Sequence, residues 1–392
     1  MEKTGIIYGI NGPIVYLEGD PGFRMNEMVY VGEQRLVGEV IGLTKDRTTI
    51  QVYEETSGIR PGQEVKGSGA PVCVTLAPGI LGSIFDGIER PLNVIRKTGG
   101  AYIDRGIHVE ALDKERLWET QLTVKEGDML YPGFVIAQVQ ETRAIVHRVM
   151  VPPDAEGKVI WTADDGNYTI DQPLVKLQLA DGREQVLTMT QKWPIRVPRP
   201  VNRRYPALSP LITGQRILDT LFPLAKGGCA CIPGGFGTGK TMTQHQIAKW
   251  SDADIIIYIG CGERGNEMTQ VLEEFKELLD PKTGNPLMDR TTLIANTSNM
   301  PVAAREASLY SGLTLAEYYR DMGYHVAIMA DSTSRWAEAL RELSGRLEEM
   351  PAEEGFPAYL ASRLSAFYER AGRMKYLNGS EGYVSIIGAR ST

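Results

Sequence analysis

The sequence predicts an α/β protein with a parallel sheet, preceded by a small β-barrel and interrupted by a second β-rich block. Three observations support this. Residues 1–70 carry short alternating apolar runs separated by glycines, which is typical of short strands joined by tight turns. Residues 115–190 are again β-rich, with few helical periods. From about residue 200 onward, strand-like apolar runs alternate with helix-length stretches, as in a parallel sheet covered on both faces.

The barrel prediction for residues 1–70 depends on four apolar runs. These runs are residues 5–16, 27–32, 36–43 and 48–53. A stretch rich in proline and glycine, residues 59–79, then leads away from the barrel. We expect residues 71–114 to begin the α/β domain, which resumes at residue 191 and continues to residue 392.

The inserted block, residues 115–190, contains segments that are similar to the hammerhead barrels that carry biotin or lipoate. The segments are residues 124–131 and 154–161. Those carriers present a lysine at a hairpin tip within a short characteristic motif, and Lys158 lacks that setting. We therefore expect a structural β domain rather than a site of cofactor attachment.

Composition and charge restrict the classes of function. The chain has 42 basic and 49 acidic residues, a formal net charge of -7, which argues against general nucleic-acid binding but does not exclude a local basic groove. No apolar run approaches the ~20 residues that span a bilayer. Residues 1–8 have no long apolar core and no cleavage site, so we expect a mature cytoplasmic protein that reaches a membrane only through partners.

The cysteines do not form a metal-binding pattern. Cys73, Cys229, Cys231 and Cys261 lie within or beside apolar stretches, and there is no CxxC pair. We expect them to be reduced, buried and small-hydrophobic in character. A metal role is the alternative for Cys229 and Cys231, whose spacing places both thiols on one face of a strand. The four histidines are scattered, which gives no indication of a zinc site.

Residues 234–241 fit the pattern G-x-x-x-x-G-K-[ST] of a phosphate-binding loop, or P-loop. An apolar run precedes them and a helix-compatible run follows, a context that disfavours the alternative of a glycine-rich turn with an exposed lysine. Glycines let the backbone wrap around phosphates, and a helix N-terminus favours negative charge. The predicted nucleotide-binding residues are Gly234, Gly235, Phe236, Gly237, Thr238, Gly239, Lys240 and Thr241. Lys240 would contact the β- and γ-phosphates of ATP or ADP, and Thr241 would contact Mg²⁺.

An aspartate on the metal side is predicted at the end of a later strand. The apolar run 326–330 ends in Asp331, which we expect to hold Mg²⁺ through a water. A strand-terminal aspartate can instead cap a helix, but its position after a P-loop favours the metal role.

A second carboxylate, Glu263, follows the apolar run 255–259. The carboxyl end of a strand in such a sheet faces the ligand crevice. Glu263 would then orient a water for attack on the γ-phosphate. The alternative is a structural ion pair with the neighbouring Arg264.

These motifs, in their order along the chain, resemble the catalytic A subunit of V-type and archaeal-type rotary ATPases. The motifs that carry the resemblance are the P-loop, GERGNE at 262–267, NTSNMPVAARE at 296–306, MADSTSRWAEA at 329–339, RLEEMPAEE at 346–354, GIIYGINGP at 5–13 and ILGSIFDGIERPL at 80–92. The resemblance covers essentially the whole chain and implies a RecA-like nucleotide-binding domain. The insertion resembles the extra β domain of the A subunit, which the related F-type β subunit lacks.

The resemblance implies catalysis at an interface with a B subunit, in an alternating ring around a central stalk and held by peripheral-stalk subunits. H⁺ or Na⁺ would move through a separate membrane sector, and no nucleic acid would be involved. Lys240 and Glu263 would be catalytic together with Arg264, and Arg335 would contact phosphate or orient the acids. The arginine finger would come from the B subunit.

Family members continue past residue 392, so we expect the domain at 191–392 to be incomplete and the isolated chain to be nearly inactive.

Three alternatives stay open, the first of which lies within the same superfamily of ring-forming ATPases. An F-type β subunit or a type III export ATPase is disfavoured by the insertion and by the Gly-Asn-Glu after Arg264. A noncatalytic B-like subunit is disfavoured by the intact Lys240, Thr241 and Glu263. An RNA translocase of the Rho type is the most distant alternative, and salt-dependent RNA binding would reveal it.

Overall fold

A computed structural model describes residues 3–100, 103–235 and 237–390 of the chain. Within these ranges the chain forms 26 strands and seven α-helices. The outermost two residues at each end of the chain, which belong to the predicted barrel and the predicted last domain, lie outside the described residues, as do residues 101–102.

The first six strands form a closed barrel in the order β1-β2-β5-β4-β3-β6, in which β1 pairs with both β2 and β6. Apolar side chains from alternate positions fill its interior, including Val15, Val29 and Ile50, each 0% exposed. The strands are β1 (Thr4–Asn11), β2 (Ile14–Glu18), β3 (Glu27–Val31), β4 (Leu36–Leu43), β5 (Arg47–Val52) and β6 (Glu64–Pro71).

Two short strands and a helix follow the barrel, and the chain returns after the insertion to pair with the first of these strands. It first forms β7 (Cys73–Leu76), β8 (Ile84–Phe85) and α1 (Leu92–Gly99), and after the insertion it returns as β17 (Gln191–Pro194). β7 and β17 pair with each other in an antiparallel ladder.

The insertion itself consists of two four-stranded sheets, ordered β12-β11-β9-β14 and β10-β13-β15-β16. Its strands are β9 (Trp118–Leu122), β10 (Met129–Leu130), β11 (Val135–Gln140), β12 (Val146–Met150), β13 (Gly157–Thr162), β14 (Gly166–Tyr168), β15 (Val175–Gln178) and β16 (Glu184–Leu187).

The remaining strands build a mixed sheet in the order β18-β25-β26-β24-β22-β23-β8, and β21 pairs in parallel with the C-terminal half of β26. The strands of this region are β18 (Arg203–Tyr205), β19 (Pro210–Leu211), β20 (Leu224–Ala225), β21 (Cys229–Pro233), β22 (Ile255–Glu263), β23 (Thr291–Thr297), β24 (His325–Asp331), β25 (Gly372–Lys375) and β26 (Glu381–Arg390). The run from β26 to β8 is parallel, and only β25 and β18 are antiparallel additions.

Helices cover both faces of this sheet. They are α2 (Arg216–Leu221), α3 (Lys240–Trp250), α4 (Gly265–Glu277), α5 (Val302–Asp321), α6 (Thr333–Arg346) and α7 (Leu360–Tyr368), with short 3₁₀ turns at Leu287–Arg290 and Glu353–Gly355. The first eight residues of β22 are buried, as expected for a central strand that has helices on both sides. α5 is buried along almost its whole length and packs against β22, β24 and β26.

A half-buried arginine joins the barrel to the main domain. Arg196 donates hydrogen bonds to Glu39 of β4 at 2.7 Å and to Glu306 of α5 at 2.8 Å and 3.0 Å. Both carboxylates are buried, so loss of the guanidinium would leave two uncompensated charges in the interior.

A second buried polar cluster joins the insertion to α5. Tyr319 of α5 donates to the Glu141 carboxylate at 2.9 Å, and Nδ1 of His147 lies 2.8 Å from the same carboxylate, which also accepts from the backbone N–H groups of Gly79 and Leu81. Tyr319, Glu141 and His147 are all nearly or fully inaccessible to solvent. The insertion is thus fixed to α5 by hydrogen bonds that water does not replace.

The prediction that the cysteines are buried is wrong for three of the four. Cys261 is buried in β22, whereas Cys73 is half-buried and Cys229 and Cys231 are exposed. For Cys229 and Cys231 the reason is the position of β21, which pairs only with β26 among the described strands, so that alternate side chains of β21 face outward. The sequence shows an apolar run at this point but not that its strand lies at an edge.

No helix among the described residues combines the length and the apolar character needed to cross a bilayer.

Candidate functional site

Most of the predicted site residues, though not Gly234 and Gly235, line one cavity of about 350 Å³ at the C-terminal edge of the main sheet. The sheet brings together the ends of β22 and β24 because these strands are parallel neighbours, with Gly260 opposite Asp331. α3 begins at the same edge, directly after the loop that follows β21. The lining includes Gly237, Thr238, Gly239, Lys240, Thr241, Glu263, Arg264, Asp331 and Arg335.

The loop between β21 and α3 takes a conformation that depends on glycine. Gly237 and Gly239 have φ angles of 79° and 83°, in the left-handed region that other residues rarely adopt. Gly234 and Gly235 lie immediately after β21. Phe236 lies outside the described residues.

Lys240, the first residue of α3, folds back over this loop. Its Nζ donates to the carbonyl oxygens of Gly234 and Gly235, both at 2.7 Å. α3 has no side-chain cap and no acidic residue in its first turn, so its N-terminal N–H groups can bind an anion. A concave loop with one ammonium group and open N–H groups is suited to phosphate.

Thr241 and Asp331 bring a hydroxyl and a carboxylate oxygen together at one side of the cavity. The Thr241 hydroxyl donates to Oδ2 of Asp331 at 2.6 Å, although the two residues belong to separate elements, α3 and β24. Asp331 is 2% exposed, and burial raises its pKa, while hydrogen bonds from Thr241 and Tyr258 act in the opposite direction. A hydroxyl and a carboxylate oxygen this close together are ligands that Mg²⁺ accepts, and the residues therefore fit that ion.

Glu263, the last residue of β22, has an unusual protonation equilibrium. Burial, the nearby charge of Asp331 and a hydrogen bond with Glu267 together raise its pKa from 4.5 to about 7, and Arg335 lowers it in part. A carboxyl group with a pKa near neutral pH is suited to accept a proton. Glu263 lies at the wall of the same cavity as Lys240 and Asp331.

The two arginines of the prediction also line the cavity. Arg264 is the N-cap residue of α4 and its side chain is exposed. Arg335, in the first turn of α6, forms an ion pair with Glu338 at 2.9 Å and is 47% exposed. Both positions allow a guanidinium group to reach an anion in the cavity.

Sequence reasoning missed three polar residues of this region, Glu267, His245 and Tyr258. Glu267 forms a hydrogen bond with Glu263, and Tyr258 donates to Asp331. A helical spacing was the available signal for His245, since it follows Thr241 by one turn of α3 and thus lies on the same face.

A larger cavity of about 670 Å³ lies between the barrel and the loop after β23, away from the P-loop.

Three family models match consecutive parts of the chain. The model described as "ATP synthase alpha/beta family, beta-barrel domain" matches residues 7–69. "ATPsynthase alpha/beta subunit barrel-sandwich domain" matches residues 109–196, and "ATP synthase alpha/beta family, nucleotide-binding domain" matches residues 214–391.

Curated relatives match along the whole chain. It is 61% identical to the V-type ATP synthase alpha chain of Halothermothrix orenii, over 100% of this chain and 66% of that protein. It is 60% identical to the V-type ATP synthase alpha chain 2 of Clostridium tetani and 58% identical to the A-type ATP synthase A subunit of Natronomonas pharaonis, in each case over 99% of this chain and 65% of that protein. The chain thus spans slightly less than two thirds of the length of these relatives. By its three domain matches and its relatives, the chain belongs to the ATP synthase alpha/beta family, among the V-type alpha chains and A-type A subunits.

Proposed function

We propose that this chain binds Mg-ATP and hydrolyses or forms it as part of the A subunit of a rotary, ion-translocating ATPase. The observation that carries the proposal is the convergence of Lys240, Thr241, Asp331 and Glu263 on one cavity of about 350 Å³. The names of the relatives, V-type alpha chains and A-type A subunits of ATP synthases, support the same class of reaction.

In the proposed reaction the P-loop holds the phosphates. Lys240 exchanges its bonds with the loop carbonyls for bonds with β- and γ-phosphate oxygens, which are stronger because the acceptor is charged as well as the donor. The N–H groups at the start of α3 bind further phosphate oxygens. Arg264 and Arg335 add positive charge at the rim of the cavity, where it stabilises the negative charge of the transferred phosphoryl group and of the leaving group.

Glu263 holds the attacking water and accepts its proton in the hydrolytic direction. Its raised pKa lets it take up a proton near neutral pH, and the ionised form is present in a comparable amount. Thr241 and Asp331 would hold Mg²⁺, which neutralises phosphate charge when it is bound.

We extend the proposal to the assembly. A B subunit supplies an arginine in trans, central and peripheral stalk subunits hold the ring, and a membrane sector carries the coupling ion. The complex is cytoplasmic and peripheral to the membrane. We also propose domain boundaries after residues 70, 114 and 190, which the separate strand pairings of the barrel, the insertion and the main sheet support.

Nucleotide binding is tested with Lys240→Ala, titrated calorimetrically with Mg-ATP beside the parent chain. We expect the affinity to fall by about tenfold or more, because a charge-assisted contact with phosphate is lost. Lys249→Ala, at the other end of the same helix, is the matched control and should bind as the parent does. Equal affinities for all three proteins would show that the loop is not the phosphate site.

Glu263→Gln separates the catalytic proposal from a noncatalytic, B-like role. In the assembled complex the amide keeps the shape of the side chain but accepts no proton, so turnover should disappear while Mg-ATP affinity stays near that of the parent. Retained turnover in proportion to the folded fraction would instead show that Glu263 is a structural residue.

A further inference from the structure

A hydrogen-bonded chain runs behind the metal side of the cavity and crosses four elements of the main domain. The Glu274 carboxylate of α4 lies 3.2 Å from Nδ1 of His245 in α3. Nε2 of His245 lies 3.3 Å from the hydroxyl of Tyr258 in β22, and that hydroxyl lies 3.3 Å from Oδ2 of Asp331 in β24. The same Oδ2 accepts the hydroxyl of Thr241.

The part of this chain from His245 to Asp331 is buried, whereas Glu274 is partly exposed. Tyr258 is 1% exposed, His245 is 5% exposed and Asp331 is 2% exposed. The ring of Phe275 packs against both His245 and Tyr258, with centroids 5.6 Å apart in each case. Because water does not reach the Tyr258 hydroxyl, its hydrogen-bond partners are His245 and Asp331.

We propose that Tyr258 is a positioning residue, which holds the Asp331 carboxylate for Mg²⁺ and is itself held by His245. The inference deepens the proposed function and rests on it. Two hydroxyls bond Oδ2 of Asp331, those of Thr241 and Tyr258. When Thr241 turns its oxygen toward the ion, Tyr258 remains as the donor that fixes the orientation of the carboxylate.

His245 acts on this contact through the tyrosine oxygen. With a proton on each ring nitrogen, the imidazole donates to the Glu274 carboxylate from Nδ1 and to the tyrosine oxygen from Nε2, and the single Tyr258 proton is then directed to Asp331. Phe275 and the Glu274 carboxylate restrict the rotation of the imidazole ring. Supports of this kind behind a metal ligand commonly contribute to metal affinity.

The test compares ADP affinity with Mg²⁺ and in excess chelator, measured calorimetrically on the full chain. In Tyr258→Phe we expect the gain in affinity that Mg²⁺ provides to fall by about three- to tenfold, the range for one lost hydrogen bond. The affinity in chelator should stay at the parent value. His245→Leu should show the same loss, and His245→Gln should restore part of the gain, because its amide nitrogen can donate where Nε2 does.

The matched control is Tyr319→Phe, which removes a buried tyrosine hydroxyl from the buried carboxylate of Glu141, remote from the cavity. It should lower thermal stability and leave the Mg²⁺ gain intact. A full Mg²⁺ gain in Tyr258→Phe, or an equal loss with and without Mg²⁺, would overturn the inference. If the parent bound no nucleotide in either condition, the proposed function would fail, and this inference would fail with it.

Discussion

Glu263→Gln should stabilise the protein without nucleotide or metal above neutral pH, although it removes a catalytic group. The pKa of Glu263 is raised from 4.5 to about 7 in the folded protein, mainly by burial and by the charge of Asp331. Between these two values the folded state binds the proton and the unfolded state has released it. Stability contributed by this group is therefore fully present below pH 4.5 and is lost as the pH rises through 7.

The size of the effect follows from the shift. One pKa unit corresponds to about 1.4 kcal/mol. The rise from 4.5 to about 7 therefore means that ionisation of Glu263 lowers the free energy of unfolding by at most about 3 kcal/mol. Glu263 is only partly buried, and screening by water reduces this to about 1–2 kcal/mol. Glutamine keeps the size of the side chain and cannot ionise, so the variant avoids this loss.

The assay is denaturant unfolding of parent and variant at pH 5 and pH 8, in chelator and without nucleotide. The parent should lose stability relative to Glu263→Gln between the two pH values by the amount above. Glu273→Gln, an exposed glutamate on α4, is the matched control and should follow the parent at both.

A pH-independent difference between Glu263→Gln and the parent would refute the reasoning, because it would show that the Glu263 carboxyl ionises normally in the folded protein. A variant that is less stable than the parent at pH 8 would show that the ionised carboxylate makes a stabilising contact.

Three further outcomes are expected. The isolated chain should release almost no phosphate from Mg-ATP, because it lacks an arginine supplied in trans, which is worth roughly 10³–10⁵ in rate. Robust turnover that Lys240→Ala abolishes would contradict this expectation, and Arg335 would then be the first residue to mutate. Arg196→Met should lower the free energy of unfolding by about 3–5 kcal/mol, measured by denaturant titration, because two buried carboxylates lose their partner. Gly239→Ala should lower the free energy of unfolding by about 1–2 kcal/mol in the same assay, because alanine is strained in the left-handed conformation of this residue. Nothing lies within 4 Å of the added Cβ, so an unchanged stability would mean that this backbone conformation carries no cost.

Local patterns in the sequence were sufficient to predict the P-loop and the types of domain. A phosphate-binding loop is built from contiguous residues, so its glycines, Lys240 and Thr241 can be recognised without knowing the fold. The fold class is confirmed by the closed barrel, the barrel-sandwich match and the sheet, which is parallel through its centre. The roles of the P-loop residues, Lys240 and Thr241 among them, and those of Glu263, Arg264, Asp331 and Arg335 stay predictions until variants are measured.

The tertiary structure decided the features that depend on pairing between distant segments. The register of β22 against β24 places Glu263 close enough to Asp331 to raise its pKa, and the order of strands leaves Cys229 and Cys231 exposed at an edge. Thr241 meets Asp331 across 90 residues of chain, and Tyr258 reaches the same oxygen from a neighbouring strand. Burial and the distance between charges are properties of the packed molecule, and no local pattern of residues specifies them.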